Sequence, residues 1–195
     1  MSVNLYDSLK SSYGNKKSQE NLKRAGYKYD SMLSNHNQQV WYNPNTKKLL
    51  YNVAGTHNLS DVGTDVWLAF GGLKNTNRYK EASKILDEAK RKYGNDINTT
   101  ITGHSLGSTI GQYIANKNDN FYGLDGGYTI GQPTRSNNGK QHHFRTSGDV
   151  VSLLGANAKH MKTLNNYNKA QGFAPLDALK AHDIDSIKNS GIFID

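Results

Sequence analysis

The sequence predicts an α/β fold built on a mostly parallel central sheet flanked by helices, and three observations carry that expectation. Short runs rich in Val, Ile, Thr and Tyr alternate with longer runs whose apolar residues recur at helical spacing, the order that strand-helix-strand units produce. One strand-like run, "DINTTIT", meets the helical stretch "LGSTIGQYIA" through Gly-His-Ser-Leu-Gly, which places a serine in a tight strand-to-helix turn. The chain has 195 residues, of which 35% are apolar, with many tyrosines. That is enough for one core and too short for two comfortable domains, so a single domain over 1–195 is expected.

The elements follow in order. Leu5, Leu9 and Leu22 have weak helical spacing among Lys, Ser and Asn, so residues 1–35 read as a basic helical N-terminal cover, with nothing there that suggests chemistry. "QVWYNPNTKKLLYNVAGT" predicts two short strands around the turn cluster Asn43-Pro44-Asn45-Thr46. In "RYKEASKILDEAKRKYG" the residues Ala82, Ile85, Leu86, Ala89 and Tyr93 share one helical face, and Gly94 marks the end. "DINTTITG" supplies a β-branched strand, and Leu106, Ile110, Tyr113 and Ile114 then recur at helical spacing. Beyond them "GYTIGQP" reads as a strand ended by Pro133, "HHFRTSGDVVSLL" as a strand running into a loop, and "PLDALKAHDIDSIKNS" as a helix or helix pair. No internal repeat or low-complexity linker interrupts this order.

Composition excludes several classes. With no cysteine there is neither a disulfide framework nor a thiolate metal site. No apolar run reaches signal-peptide or membrane-span length, which points to a soluble, intracellular (cytoplasmic) protein. The Asn, Lys and Tyr richness suggests an AT-rich genome, and virion association if that genome is viral. Net charge is +8, with Lys10, Lys16, Lys17, Lys23, Arg24 and Lys28 crowding the first segment. Such a balance suits an anionic membrane surface, whereas nucleic acid is disfavoured because no motif with interleaved aromatics accompanies it.

The serine carries the sharpest signal. In a strained strand-to-helix turn, side chains two residues before and after the serine would collide, so both positions must be small, and Gly103 and Gly107 meet that demand. The Ser105 hydroxyl then projects above the sheet's carboxyl edge, and the Leu106 N–H at the helix N-terminus points toward a developing oxyanion. A serine needs a base, and in α/β-hydrolases the order is Ser, then Asp or Glu, then His. Asp149 follows a predicted strand at a suitable distance. Asp125 is the weaker rival, because it precedes the strand "GYTIG". His182 leaves room for structure between acid and base, with His160, eleven positions after Asp149, as the fallback. His142 and His143 precede Asp149, and His104 lies inside the turn, where it braces it. Thr56 ends a strand after Gly55 and can face the turn.

Four ordered blocks between about residues 38 and 185 resemble the class 3 lipases, the α/β-hydrolases that include fungal triacylglycerol lipases and plant phospholipases A1. "QVWYNPNTKKLLYNVAGTHNLSDVGTD" is similar to the family's hairpin, its Arg-Gly-Thr or Arg-Gly-Ser turn and a downstream Thr-Asp. "TTITGHSLGSTIGQYIA" resembles its elbow strand and helix, "YTIGQPTRSN" its Thr-Phe-Gly-x-Pro-Arg block, and "FRTSGDVVSLL" the segment of its catalytic aspartate. The resemblance implies Ser105 as nucleophile, Asp149 as acid member, His182 as general base, Thr56 as oxyanion residue beside Leu106, and Asp65 as support for the oxyanion loop. Ala54 departs from the pattern, standing where the family often has Arg. The stretch between Thr56 and Tyr79 is short, so a long lid is expected to be absent or reduced to "HNLSDVGTDVWLAFGG".

The implied activity is lipid ester hydrolysis through an acyl-enzyme, with no metal or organic cofactor, a lipid ester as substrate, and an acyl groove lined by Trp67, Leu68, Phe70, Leu153 and Leu154. An acyltransferase or non-lipid esterase on the same triad, and a catalytically inactive basic binding module, are the alternatives at this point.

Overall fold

The computed structural model describes residues 2–57, 73–127, 140–149, 152, 161–165 and 180–194. Its framework is one seven-stranded sheet whose strands lie in chain order: β1 (Lys28–Tyr29), β2 (Gln38–Asn43), β3 (Lys48–Val53), β4 (Asn98–His104), β5 (Asn120–Leu124), β6 (Gln141–Thr146) and β7 (Met161–Leu164). β1, β2 and β3 pair antiparallel, and every pair from β3 to β7 is parallel. The expected hairpin is β2–β3, with Gln38 opposite Val53 and Asn43 opposite Lys48, and Lys47 takes a left-handed φ of 51° at its turn.

Among the described residues four α-helices flank the sheet: α1 (Leu5–Ser12), α2 (Lys16–Arg24), α3 (Asn77–Tyr93) and α4 (Leu106–Ile114). Each of the first three starts at a polar residue whose side chain accepts from a first-turn N–H: Asn4 from Tyr6, Asn15 from Ser18, Thr76 from Tyr79. α3 ends at Gly94, as its sequence predicts, where φ is 123°. Its Ala82, Leu86 and Ala89 are buried, and Tyr51 of β3 donates its hydroxyl to the Ala82 carbonyl, 2.9 Å.

Alternation along the strands divides the core between the two faces. Val40, Leu49, Tyr51, Ile101 and Phe121 pack with α3 and α4, whereas Trp41, Leu50 and Leu124 pack with α1 and the C-terminal residues Ile184, Ile187 and Ile194. On the second face a buried polar contact fixes α1 to the sheet centre. The Asn52 side chain accepts from Ser8 Oγ and Thr102 Oγ1, at 2.7 and 2.9 Å, and donates to the Ser8 carbonyl and Ser11 Oγ, both 3.0 Å. The C-terminal segment clasps the same helix through Leu5 N–H to Ile192 O, 2.8 Å, and Lys10 Nζ to Asp185, 2.9 Å.

Two differences from the sequence reading bear on the site. β5 has no counterpart in that reading: "NFYGL" is short and flanked by Asn, Asp and Gly, which resemble turn residues. The N-terminal segment is helical at Leu5–Ser12 and Lys16–Arg24, but Lys28–Tyr29 join the sheet as β1, and Lys10 and Tyr13 reach the site described below. The expected strand at "GYTIGQP", beyond Gly127, and the short lid, beyond His57, lie outside the described residues.

Candidate active site

β4 ends at His104 and α4 begins at Leu106, so one residue, Ser105, makes the whole turn. It does so at φ 55°, ψ −125°, a left-handed φ that is costly for a residue with a β-carbon and is held here by its surroundings. Ser105 N–H donates to Leu124 O at the end of β5, 2.9 Å, and its carbonyl accepts from Thr109 N–H, 3.1 Å. Close approach of the two glycines makes the turn possible. A β-carbon on Gly103 would stand 2.7 Å from Ser108 N, and one on Gly107 would stand 2.6 Å from Ala54 O. Although Ser105 is the N-cap residue of α4, its hydroxyl makes no capping bond, unlike the side chains of Asn4, Asn15 and Thr76. Oγ is buried and has no hydrogen-bond partner among the described residues. The first-turn N–H groups of α4, beginning at Leu106, have no acceptor within their helix and lie at its positive end.

His182 and Asp149 are brought together, 33 residues apart in the chain and separated by β7. His182 Nδ1 donates to Asp149 Oδ1 at 3.0 Å, and the other carboxylate oxygen accepts from Ser152 N–H, 2.8 Å. Both side chains are almost wholly buried. Burial alone would pull the imidazole down, but the hydrogen bond and charge of Asp149, with the charge of Asp183, outweigh it and hold His182 above its ordinary pKa. Asp149 shows the reciprocal balance: burial pushes it up, while the bonds from His182 and Ser152 hold it below the usual carboxylate range. Because Nδ1 carries the proton toward Asp149, Nε2 is the acceptor nitrogen. It is buried and, like Ser105 Oγ, without a partner among the described residues, so these two atoms are not hydrogen-bonded to one another.

Asp125 stands nearer the site than its sequence position suggested. It directly follows β5, at the carboxyl edge of the sheet, with a left-handed φ of 49°. The reason for setting it aside, that it precedes a strand, is therefore corrected by β5. Its carboxyl nevertheless accepts from Thr146, N–H at 2.6 Å and Oγ1 at 2.9 Å, and it is Asp149 that takes the His182 bond. Burial, reinforced by the charge of Asp149, raises Asp125 to about 8. His104 does brace the turn: Nε2 donates to the His182 carbonyl, 2.8 Å, and Nδ1 meets the Tyr13 hydroxyl, 2.9 Å. Burial and the neighbouring His182 lower His104 to about 3, so it stays neutral.

The turn after β3 faces this group. Ala54 N–H donates to Asn37 O, 2.8 Å, and Ala54 O accepts from the Arg78 guanidinium of α3, 2.7 Å. Gly55 N–H donates to Tyr13 Oη, 2.7 Å. Thr56 follows, with Oγ1 buried and lacking a partner among the described residues. Thr56, His104, Ser105 and His182 line one cavity of about 160 Å³, together with Lys10 and Tyr13. Ser105 Oγ, His182 Nε2 and Thr56 Oγ1, three of the buried side-chain atoms without a partner among the described residues, thus belong to residues of a single cavity.

Asp65, Trp67, Leu68, Phe70, Leu153, Leu154 and His160 lie outside the described residues. The sequence reading missed Lys10 and Tyr13 as cavity residues. Among the described residues, one group could offer metal ligands, His104, Asp125 and His182, with one donor atom each within 4.8 Å of the others. Both His104 nitrogens, both Asp125 oxygens and His182 Nδ1 already hold protein partners, so a cation there would have to displace them. Among the described residues no helix is long and apolar enough to cross a membrane.

The sequence matches no protein-family model and no curated protein. Solved structures resemble it instead. A fungal lipase aligns over 96% of this chain and 94% of its own, with a TM-score of 0.57 at 13% identity. This chain has an α/β-hydrolase fold. A mutant of MDLA from Penicillium cyclopium covers 89% of the chain and 80% of its own length, with a TM-score of 0.50 at 12% identity. The lipase from Yarrowia lipolytica covers 66% of the chain, with a TM-score of 0.43 at 16% identity. The chain spans about three fifths of the length of the Yarrowia lipolytica and Rhizomucor miehei lipases, 59% and 61%. Within the α/β-hydrolase fold, the carboxyl edge of the parallel strands is where Ser105, Asp125 and Asp149 gather, each just beyond the end of a strand.

Proposed function

We propose that the protein is a serine carboxyl-ester hydrolase acting on lipid esters, with Ser105 as nucleophile, His182 as general base and Asp149 as its orienting acid. The carrying observation is that Ser105 Oγ and His182 Nε2, both buried and unpartnered among the described residues, belong to one cavity while His182 Nδ1 is held by Asp149. In the reaction His182 Nε2 takes the Ser105 proton as Oγ attacks the ester carbonyl. The tetrahedral oxyanion is met by the Leu106 N–H and by Thr56, and the alcohol leaves with the proton returned by His182. Water activated by the same imidazole then cleaves the acyl-enzyme. Asp149 stays ionised throughout, fixing the tautomer and stabilising the imidazolium.

Lipid as the substrate class is supported by the class 3 lipase resemblance of the sequence and by the lipase names of the structural neighbours. The excess of basic residues suits binding at an anionic membrane surface. Labelling by a fluorophosphonate, together with hydrolysis of p-nitrophenyl butyrate and of phospholipid and triacylglycerol, tests the reading. Ser105→Ala is expected to abolish labelling and to lower turnover by roughly a thousandfold or more. Undiminished hydrolysis by that variant refutes the assignment.

A further inference from the structure

The N-terminal helix supplies a side chain to the centre of the site. Tyr13 immediately follows α1, and its hydroxyl touches two segments that are remote in sequence: Gly55 N–H at 2.7 Å, 42 residues away, and His104 Nδ1 at 2.9 Å, 91 residues away. Elementary donor rules fix the direction of every proton in this chain of bonds. An amide N–H only donates, so the Tyr13 oxygen accepts from Gly55. The His182 carbonyl only accepts, so the His104 proton sits on Nε2 and leaves Nδ1 as acceptor. The single Tyr13 proton therefore points to His104 Nδ1. Gly55 N–H to Tyr13, Tyr13 O–H to His104 and His104 N–H to His182 O run in one sense, with each group used once.

We propose that Tyr13 is a positioning residue of the hydrolytic site: its hydroxyl ties the Gly55–Thr56 turn to His104 and sets the distance between the oxyanion group and the nucleophile. This inference rests on the hydrolase reading above. Space supports it independently, since a β-carbon on Gly55 would stand 2.7 Å from Tyr13 Oη and from His104 O, and 3.0 Å from Ser105 Cβ. The turn is thus packed directly between the tyrosine and the elbow. α1 itself cannot drift, because Asn52 anchors Ser8 and Ser11 while Lys10 pairs with Asp183 and Asp185 beside His182. Burial also raises the Tyr13 phenol, so it remains a protonated donor at any working pH. Arg78 and Asn37 hold the preceding residue, Ala54, through its carbonyl and its N–H.

Tyr13→Phe keeps the ring and removes both bonds. Steady-state hydrolysis of p-nitrophenyl butyrate is expected to show kcat reduced roughly ten- to a hundredfold, below the effect of deleting an oxyanion donor outright, with KM within about twofold. Affinity for phenylboronic acid, which forms a tetrahedral adduct with a reactive serine, should fall by the same factor, whereas affinity for butyrate, the product, should not. A merely structural tyrosine would not separate the two inhibitors. Tyr13→Leu, which also removes both bonds and leaves His104 on the His182 carbonyl, serves if Tyr13→Phe does not fold, and the same split is expected of it. A wild-type protein that labels with fluorophosphonate beside a folded variant of unchanged kcat and boronate affinity overturns the role of Tyr13 alone. A wild type that neither labels nor hydrolyses the ester overturns both readings.

Discussion

Gly107 offers the sharpest test of how the elbow and the oxyanion turn depend on one another. Its α-carbon lies against the end of β3, where an added β-carbon would stand 2.6 Å from Ala54 O and 2.7 Å from Ala54 C, with Val53 O closer still. All three are backbone atoms, so no side chain can rotate away. Ordinary contact begins near 3.4 Å, and Gly107→Ala therefore asks the strand end or the helix to withdraw by about 0.8 Å at Ala54 O and by more than that at Val53 O. Ala54 is clamped by Asn37 and Arg78 and leads directly into Gly55 and Thr56, which passes the displacement to the oxyanion side of the cavity. Overpacking of this kind costs about 1–3 kcal/mol of stability. A shift approaching 1 Å between reacting groups costs on the order of a hundredfold in rate. Urea unfolding and p-nitrophenyl butyrate turnover on the same protein should show both losses in Gly107→Ala. Stability within about 0.5 kcal/mol of the wild type and turnover within about threefold would refute the steric argument.

The buried groups give two pH predictions. His182 must be neutral to accept the Ser105 proton, and it lies above its ordinary value, so the acid limb of kcat/KM should have its midpoint above about pH 6.5 and should move down in Asp149→Asn, which lacks the raising charge. A wild-type midpoint below that value contradicts the account. Asp125, raised to about 8, keeps its proton in the folded chain where the unfolded chain has lost it, so its contribution to stability should fall with rising pH across the window from about 4 to 8. Asp125→Asn has no such charge to bury, and chemical denaturation should show the wild type losing stability relative to it between pH 5 and pH 8, by on the order of a few kcal/mol. A difference that does not change with pH would count against the burial of that charge.

How much of this was legible in the sequence depended on whether the constraint was local. The elbow was, because the demand for small residues at 103 and 107 acts within five positions. α3 was also legible, since Ala82, Leu86 and Ala89 mark a face whatever they pack against. β5 was not: Phe121 and Leu124 face opposite sides of a sheet covered on both, so its five residues lack the alternation that identifies a strand with one solvated face. Missing β5 in turn misplaced Asp125. Tyr13 was invisible for a different reason. Its partners lie 42 and 91 residues away, and a tyrosine after a short polar helix has no local pattern that distinguishes it from a surface residue.

An inert serine in a glycine-rich turn would make a specific demand on this structure. An inert serine at a helix N-cap would turn its hydroxyl onto a first-turn N–H, a bond that stabilises by about 1 kcal/mol. Asn4, Asn15 and Thr76 all do this in the same chain. Ser105 does not, and its φ of 55° carries a backbone cost besides. Around it the supporting groups are bonded: both nitrogens of His104, Nδ1 of His182, both oxygens of Asp149, and the amides of Ala54 and Gly55. Among the residues that line the cavity, the buried side-chain atoms without a partner in the described residues are the three that hydrolysis would use: Oγ of Ser105, Nε2 of His182 and Oγ1 of Thr56. Buried polar atoms left without partners cost about 1–3 kcal/mol each, and a fold that merely needed a turn would gain by satisfying them. The convergence of these three on one cavity, beside a histidine-aspartate pair and a histidine that are bonded, is what a preorganised site requires and what a structural turn would remove.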